Sequence, residues 1–225
     1  MRIAVIGAGN LGATAARLFV RAGHEVALAR SRGPEGLGVL VAELGPRAHA
    51  TTVEHAARFG EVVLVAVPFE RHRELPVQAL EGKIVIDAMN HYPAPGDGFP
   101  EIADGATTSS ELLAEHLRGA RVVKAFNTMY WRLLAERGRP PGAAAERLAL
   151  FLAGDDYEAK QLVSGLIEKA GFAPVDTGGL AAGPRRQQPG APIYTELARR
   201  RREGADPPGL TESEARAALG ARRAA

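Results

Sequence analysis

The sequence predicts an α/β fold built on a doubly wound, mostly parallel sheet. Three observations carry that reading. Short apolar runs recur along the 225-residue chain, and stretches of helical periodicity separate them. Such alternation favours a parallel sheet covered by helices on both faces. A glycine-rich turn, Gly7-Ala8-Gly9-Asn10-Leu11-Gly12, joins the first run to the first helix. Apolar residues make up 46% of the chain, enough for a core of one sizeable domain.

The elements follow in order. Arg2 to Ile6 is the first strand, and helical spacing from Asn10 to Ala22 puts Leu11, Ala15, Leu18 and Phe19 on one face. Gly23 closes that helix. Glu25 to Ala29 reads as a strand, Pro34 as the first residue of a helix to Leu44, and Arg47 to Ala50 as a third strand. Glu61 to Val67 and Lys83 to Asp87 are nearly unbroken apolar strands, ended in the first case by Pro68. The crossover between them is short, and Pro76 limits any helix there. Asn90 to Gly105, rich in Pro and Gly, reads as a surface loop or lid. Thr108 and Glu111 form a capping box ahead of Leu112 and Leu113. Arg121 to Phe126 is a strand, Thr128 to Arg137 a helix and Gly138 to Ala145 a loop. Leu148 to Ala153, Asp156 to Ala170 and Ala173 to Asp176 complete a strand–helix–strand unit. Residues 1–180 thus form one domain, and 181–225 form a C-terminal extension. In the extension Arg185 to Gly190 reads as a loop and Ala198 to Arg202 as an exposed basic helix face. Pro207-Pro208 breaks it from a last helix, Thr211 to Arg222. Apolar helix faces in the extension suit a homodimer.

Composition narrows the function. A formal charge of +2 and 5% aromatics argue against a nucleic-acid-binding surface. The absence of cysteine excludes disulfides, thiolate zinc sites and cysteine nucleophiles, and suits a reducing cytoplasm. No two of the six histidines have the spacing of a helical metal site, and no metal is expected. Neither a signal peptide nor a membrane span is legible.

The glycine turn fits G-x-G-x-x-G in its proper setting, directly after a strand and opening a helix. There Gly7 permits the tight turn, Gly9 admits a pyrophosphate and Gly12 lets helix and strand pack closely. The free N–H groups and positive dipole end of the helix face the phosphates. This is a Rossmann-type dinucleotide site. The end of the second strand selects the dinucleotide. It reads Ala29-Arg30-Ser31-Arg32-Gly33, with no carboxylate for ribose hydroxyls before Glu35. Two guanidiniums and a hydroxyl suit a 2′-phosphate, so NADP(H) is expected. The reactive end of the cofactor belongs beyond the carboxyl ends of the strands. Val67-Pro68-Phe69, Ala88-Met89-Asn90 and Asn127-Thr128-Met129 leave those ends.

Several segments together resemble the family of NADPH-dependent reductases of coenzyme F420, an 8-hydroxy-5-deazaflavin. They are Ile6 to Gly12, Gly23-His-Glu-Val26, Ser31-Arg-Gly-Pro-Glu35, Val65-Ala-Val-Pro68, Val85-Ile-Asp-Ala88, Val122-Val-Lys-Ala-Phe-Asn-Thr128, Leu152-Ala-Gly-Asp-Asp156 and Val175-Asp-Thr-Gly178. The match spans residues 1 to 180, and Lys124-Ala-Phe-Asn-Thr128 is its most diagnostic part. The same run is similar to the cytosolic domain of metalloreductases that pass electrons from NADPH to flavin. The resemblance implies that Gly9, Asn10, Leu11, Ser31 and Arg32 hold NADP. It puts Val67 and Pro68 near the nicotinamide, and Asn127 and Met129 where the deazaflavin stacks. Asn90 belongs with the cofactor set. Arg30 departs from the family pattern of a small polar residue and would add to the phosphate clamp.

The expected function is hydride transfer between NADP(H) and coenzyme F420 or a flavin-like acceptor. A deazaflavin takes the hydride at carbon and spreads the charge over its ring, so the protein mainly holds two rings together. The alternatives are an NADPH-dependent reductase of a small carbonyl or imine, and a non-catalytic NADP(H)-binding protein. The former needs a proton donor, for which Tyr92, His91, Tyr130 and Lys124 are candidates. Arg185 and Arg186 are candidates for the acidic tail of the deazaflavin coenzyme.

Overall fold

A computed structural model describes residues 1–94, 96–140, 146–205 and 208–220. Residues 141–145 of the expected Gly138–Ala145 loop, Pro207 and the end of the helix expected to reach Arg222 lie outside the described residues. The strands are β1 (Arg2–Ile6), β2 (Glu25–Ala29), β3 (Ala48–Ala50), β4 (Val62–Val65), β5 (Ile84–Asp87), β6 (Arg121–Ala125), β7 (Ala149–Gly154) and β8 (Ala173–Asp176). They form one sheet in the order β3-β2-β1-β4-β5-β6-β7-β8. All neighbours pair in parallel except β6 and β7, which run antiparallel. The order reverses beside β1, between β2 and β4, and opens a crevice at their carboxyl ends.

The helices are α1 (Asn10–Arg21), α2 (Gly38–Leu44), α3 (Val53–Phe59), α4 (Val77–Leu80), α5 (Pro100–Ala103), α6 (Ser109–His116), α7 (Trp131–Glu136), α8 (Tyr157–Lys169), α9 (Pro184–Gln187), α10 (Pro192–Arg202) and α11 (Glu212–Gly220). A 3-10 turn covers Phe69–Glu74. Strand side chains alternate between two cores. Ile3, Val5 and Leu64 meet Phe19, Leu134 and Val163 on one face. Ala4, Ile6 and Val65 meet Ala56, Leu80 and Leu113 on the other. Each fully buried large side chain stabilises by roughly 1.5–3 kcal/mol.

The structure departs from the sequence expectations at several points. The helix expected from Pro34 begins at Gly38, because Gly33 and Gly36 take positive φ (84° and 80°) and turn the chain beforehand. Helix α3 follows Thr52, whose hydroxyl accepts from the His55 N–H; this cap passed unread. Pro76 stands directly before α4, which runs for only four residues, in keeping with a limited helix there. The stretch expected as a loop from Arg185 starts inside α9, and the basic run from Ala198 is the end of the eleven-residue α10. The apolar residues of α10 and α11, including Ile193, Leu197, Ala215 and Leu219, pack against Ala149, Phe151 and Val175. Faces that suited a homodimer are therefore spent within the chain. Among the described residues no helix is long and apolar enough to cross a membrane.

Candidate active site

The glycine turn sits at the end of β1, and each glycine has a different reason. Gly7 has φ 102°, and a Cβ there would overlap the Ala66 carbonyl. A Cβ at Gly12 would overlap the Gly7 carbonyl oxygen, so this glycine sets how closely α1 packs on the turn. At Gly9 a Cβ would meet nothing within 4 Å. The turn is thus open to a ligand at Gly9 and closed by protein at the other two. Gly9 caps α1 without a side-chain acceptor, and the first turn of α1 carries no acidic residue. The N–H groups and positive dipole end therefore have no acidic side chain from the helix's own first turn to offset them. Gly9 and Asn10 are exposed and Leu11 is half-buried. This cradle fits a pyrophosphate.

The loop after β2 contains the three polar residues expected to hold a 2′-phosphate. Ser31 and Arg32 are exposed. Arg30 instead turns onto its own loop, donating to the carbonyls of Gly33 (3.4 Å) and Glu35. Its guanidinium lies against Gly36, where a Cβ would collide with it. Ser31 lines a pocket of about 150 Å³ together with Val53, Val67 and Arg71. Arg71 was not legible as a site residue, since no motif marks it. It reaches the pocket from the 3-10 turn after β4, braced by Glu74 (Nε to Oε1 2.8 Å). Val67 is half-buried and Pro68 exposed, both beyond the end of β4.

A second cleft, of about 250 Å³, opens at the carboxyl ends of β5 and β6. Leu11, Asn90, Asn127 and Met129 all line it, so the glycine turn and the acceptor-pocket candidates meet there. Pro68, also a candidate, is not among its lining residues. Asn90 and Asn127 are tied together. The Asn90 amide donates to the Asn127 carbonyl at 2.9 Å, and the Asn127 amide donates to Asn90 Oδ1 at 3.1 Å. The Asn127 amide also donates to the Gln187 carbonyl at 2.9 Å. Its Oδ1 is buried without a hydrogen-bond partner and remains available to a donor. Phe126, just before it, has φ 66° and is fully buried edge-on to Phe19. That left-handed backbone costs roughly 1 kcal/mol in a non-glycine residue, and the packed ring holds it. It turns Asn127 out of the strand into the cleft.

Beneath this rim lies a buried ion pair. Lys124 and Asp87 are both fully buried, with Nζ 3.1 Å from Oδ2. Lys124 also donates to the Met89 carbonyl at 2.5 Å. Asp87 further accepts from the Ser110 hydroxyl (2.8 Å) and the Met89 N–H (3.0 Å). Lys124 is therefore committed to fixing the Met89–Asn90 corner. His91 is buried among Phe69 and Phe99, with Nε2 3.2 Å from Asp97 Oδ2. Two backbone N–H donors, of Ala94 and Phe99, lead in holding the Asp97 carboxyl below its usual range, with His91 adding to them. Neither Lys124 nor His91 lines the cleft. Arg185 donates to the carbonyls of Ala181, Gly105 and Ala106 and clamps the segment before α6, away from the cleft. Tyr92 and Tyr130, by contrast, both line it.

The extension supplies the far wall. Tyr194, Leu197, Ala198 and Arg201 of α10 line the cleft. The hydroxyls of Tyr92 and Tyr194 lie 2.8 Å apart and join the loop after β5 to α10. Burial leads in raising the Tyr194 phenol well above its ordinary value, with the Tyr92 hydrogen bond second.

Residues 2–91 match the model of a family described as NADP oxidoreductase, coenzyme F420-dependent. A hypothetical protein from Sinorhizobium meliloti is 36% identical, with a TM-score of 0.74 over 85% of this chain and 92% of its own. Residues 2–91 of the chain thus carry the domain of the coenzyme F420-dependent NADP oxidoreductase family. A protein from Arthrobacter sp. FB24, assigned as an F420-dependent NADP reductase, is 26% identical, with a TM-score of 0.66 over 80% of this chain and 86% of its own. Metalloreductase STEAP3 of Rattus norvegicus is 31% identical over 184 residues, 80% of this chain. The chain spans about a third of that relative's length (34%). The cradle at Gly9 fits the dinucleotide that this family's description names.

Proposed function

We propose that the protein transfers a hydride between NADP(H) and a planar deazaflavin or flavin-like acceptor, with coenzyme F420 as the co-substrate its family points to. One observation supports this reading most. The cleft beside the glycine turn is walled by aromatic rings, and among the described residues no carboxylate or histidine lines it. Such a site stacks rings and holds them at reacting distance; it does little acid–base chemistry.

NADPH, when bound, supplies the hydride from its nicotinamide. The chain's residues bind and orient. Gly7, Gly9, Asn10, Leu11 and Gly12 would hold the pyrophosphate. Ser31 and Arg32, joined by Arg71, would hold the 2′-phosphate, while Arg30 stiffens their loop. Val67 and Pro68 would flank the nicotinamide, and Asn127 Oδ1, set by Asn90, would accept from its carboxamide N–H. Met129 and Asn127 would meet the acceptor ring. The reaction would take place in the cytoplasm on a small-molecule partner.

A second reading, reduction of a small carbonyl or imine, draws on the Tyr92–Tyr194 pair. A phenol kept protonated by burial can give a proton to a new alkoxide or amine. Stopped-flow mixing of NADPH-loaded protein with oxidised F420, FMN, FAD, and small carbonyl and imine substrates separates the two. The leading proposal expects rapid NADPH oxidation by a tricyclic acceptor, and Tyr194→Phe to leave that rate intact. Turnover with carbonyl or imine alone, abolished by Tyr194→Phe, would replace it with the second reading.

A further inference from the structure

The chain has only four tyrosines and one tryptophan, yet Tyr92, Tyr130, Trp131 and Tyr194 all line the one cleft. Among the described residues its single charged lining residue is Arg201, from α10 of the extension. The two arginines before it in α10 have acidic partners. Arg199 pairs with Glu196 and Glu203, and Arg200 pairs with Glu196 and Glu214. Arg201 has no carboxylate within salt-bridge distance among the described residues; its guanidinium lies over the Tyr130 ring, 4.8 Å from the centroid. An exposed cation held on an aromatic face, in a cleft whose described lining carries no negative group, is a receptor for an anion on a ligand whose rings stack beside it.

We infer that α10 makes this cleft selective for a planar aromatic ligand carrying an anionic group, with Arg201 reading the anion and the tyrosines and Trp131 stacking the ring. The inference rests on the proposed function for the place of the acceptor, but it concerns binding rather than hydride transfer. It also moves acceptor recognition from Arg185, which is spent on backbone carbonyls, to a helix outside the region that matches the family model.

Trp131 is the sole tryptophan and provides a direct readout. FMN and riboflavin share one ring system and differ by a phosphate. Each is titrated against Trp131 fluorescence with saturating NADP+ present, so that the dinucleotide site cannot take up the phosphate. FMN is expected to bind about tenfold more tightly than riboflavin, as one charge-assisted contact to a solvated anion allows. Added salt should narrow the gap. Arg201→Gln should bring FMN to the riboflavin value and leave riboflavin unchanged, Arg201→Lys should retain part of the preference, and Arg202→Gln should retain all of it. Equal binding of both ligands to the wild type, no quenching by either, or a preference that survives Arg201→Gln overturns the inference. Arg201-dependent binding of FMN without NADPH oxidation by any tricyclic acceptor would uphold the inference and sink the hydride proposal. Oxidation by FMN and riboflavin alike, indifferent to Arg201, would do the reverse.

Discussion

Lys124 carries its charge where no water reaches it, and its Nζ holds both Asp87 and the Met89 carbonyl. Two buried charges survive only because each satisfies the other and because Ser110 and the Met89 N–H complete the carboxylate. Removing one partner strands the other. Lys124→Met should cost about 3–5 kcal/mol in urea denaturation. The double variant Lys124→Met with Asp87→Asn should recover a good part of that loss. An unchanged denaturation midpoint for the single variant would show that the pair does not hold the Met89–Asn90 corner. The run from Lys124 to Thr128 stands out in the sequence, where Lys124 is a candidate proton donor. Its partners were not legible, because Asp87 and Ser110 reach it only through the pairing of β5 with β6 and the docking of α6. The same holds for Asn127. Its register after β6 was readable, but the left-handed turn at Phe126 depends on packing against Phe19.

At the scale of elements, local chemistry decided what could be read. The capping box of α6 is present as its sequence signature requires, with the Glu111 N–H donating to Thr108 Oγ1 and the Thr108 N–H donating to Glu111 Oε2. Apolar runs gave the strands, since burial on both faces leaves no other pattern. Pro34 misled, because Gly33 and Gly36 on either side of it turn the chain before α2 begins at Gly38. That turn matters for the cofactor. It presents Ser31 and Arg32 outward and leaves Arg30 bound to the loop's own carbonyls. Arg32→Ala should therefore raise the Kd for NADPH about tenfold, the value of one charge-assisted phosphate contact, with no change for NADH. Calorimetric titration with both dinucleotides reads the difference. Equal weakening of both would mean that Arg32 supports the loop rather than the 2′-phosphate.

For the whole molecule, the question is whether residues 181–225 are an appendage to a domain ending at 180, as composition suggested. Their packing argues that they finish the fold. Phe151, Ala149 and Val175 are buried beneath Ile193, Leu210 and Ala215, and Leu148 bridges to Thr211. The Gln187 carbonyl receives the Asn127 amide, and Arg200 ties α10 to α11 through Glu214. Without these residues the outer face of β7 and β8 would present Phe151 and Val175 to water, at about 1.5–3 kcal/mol for each large side chain uncovered. The β1–α1–β2 cradle, at the other side of the sheet, takes no part in that packing. A chain truncated after Leu180 should thus melt at a lower temperature and bind an apolar dye. If it stays folded at low temperature, it should still bind NADPH while losing the tricyclic ligand, since α10 walls one site and not the other. Thermal melts with NADPH and FMN titrations at a temperature where the truncated chain is folded check this. A truncated chain that melts like the full one and binds FMN equally well would restore the extension to the status of an appendage, and the acceptor site would then be complete within the first 180 residues.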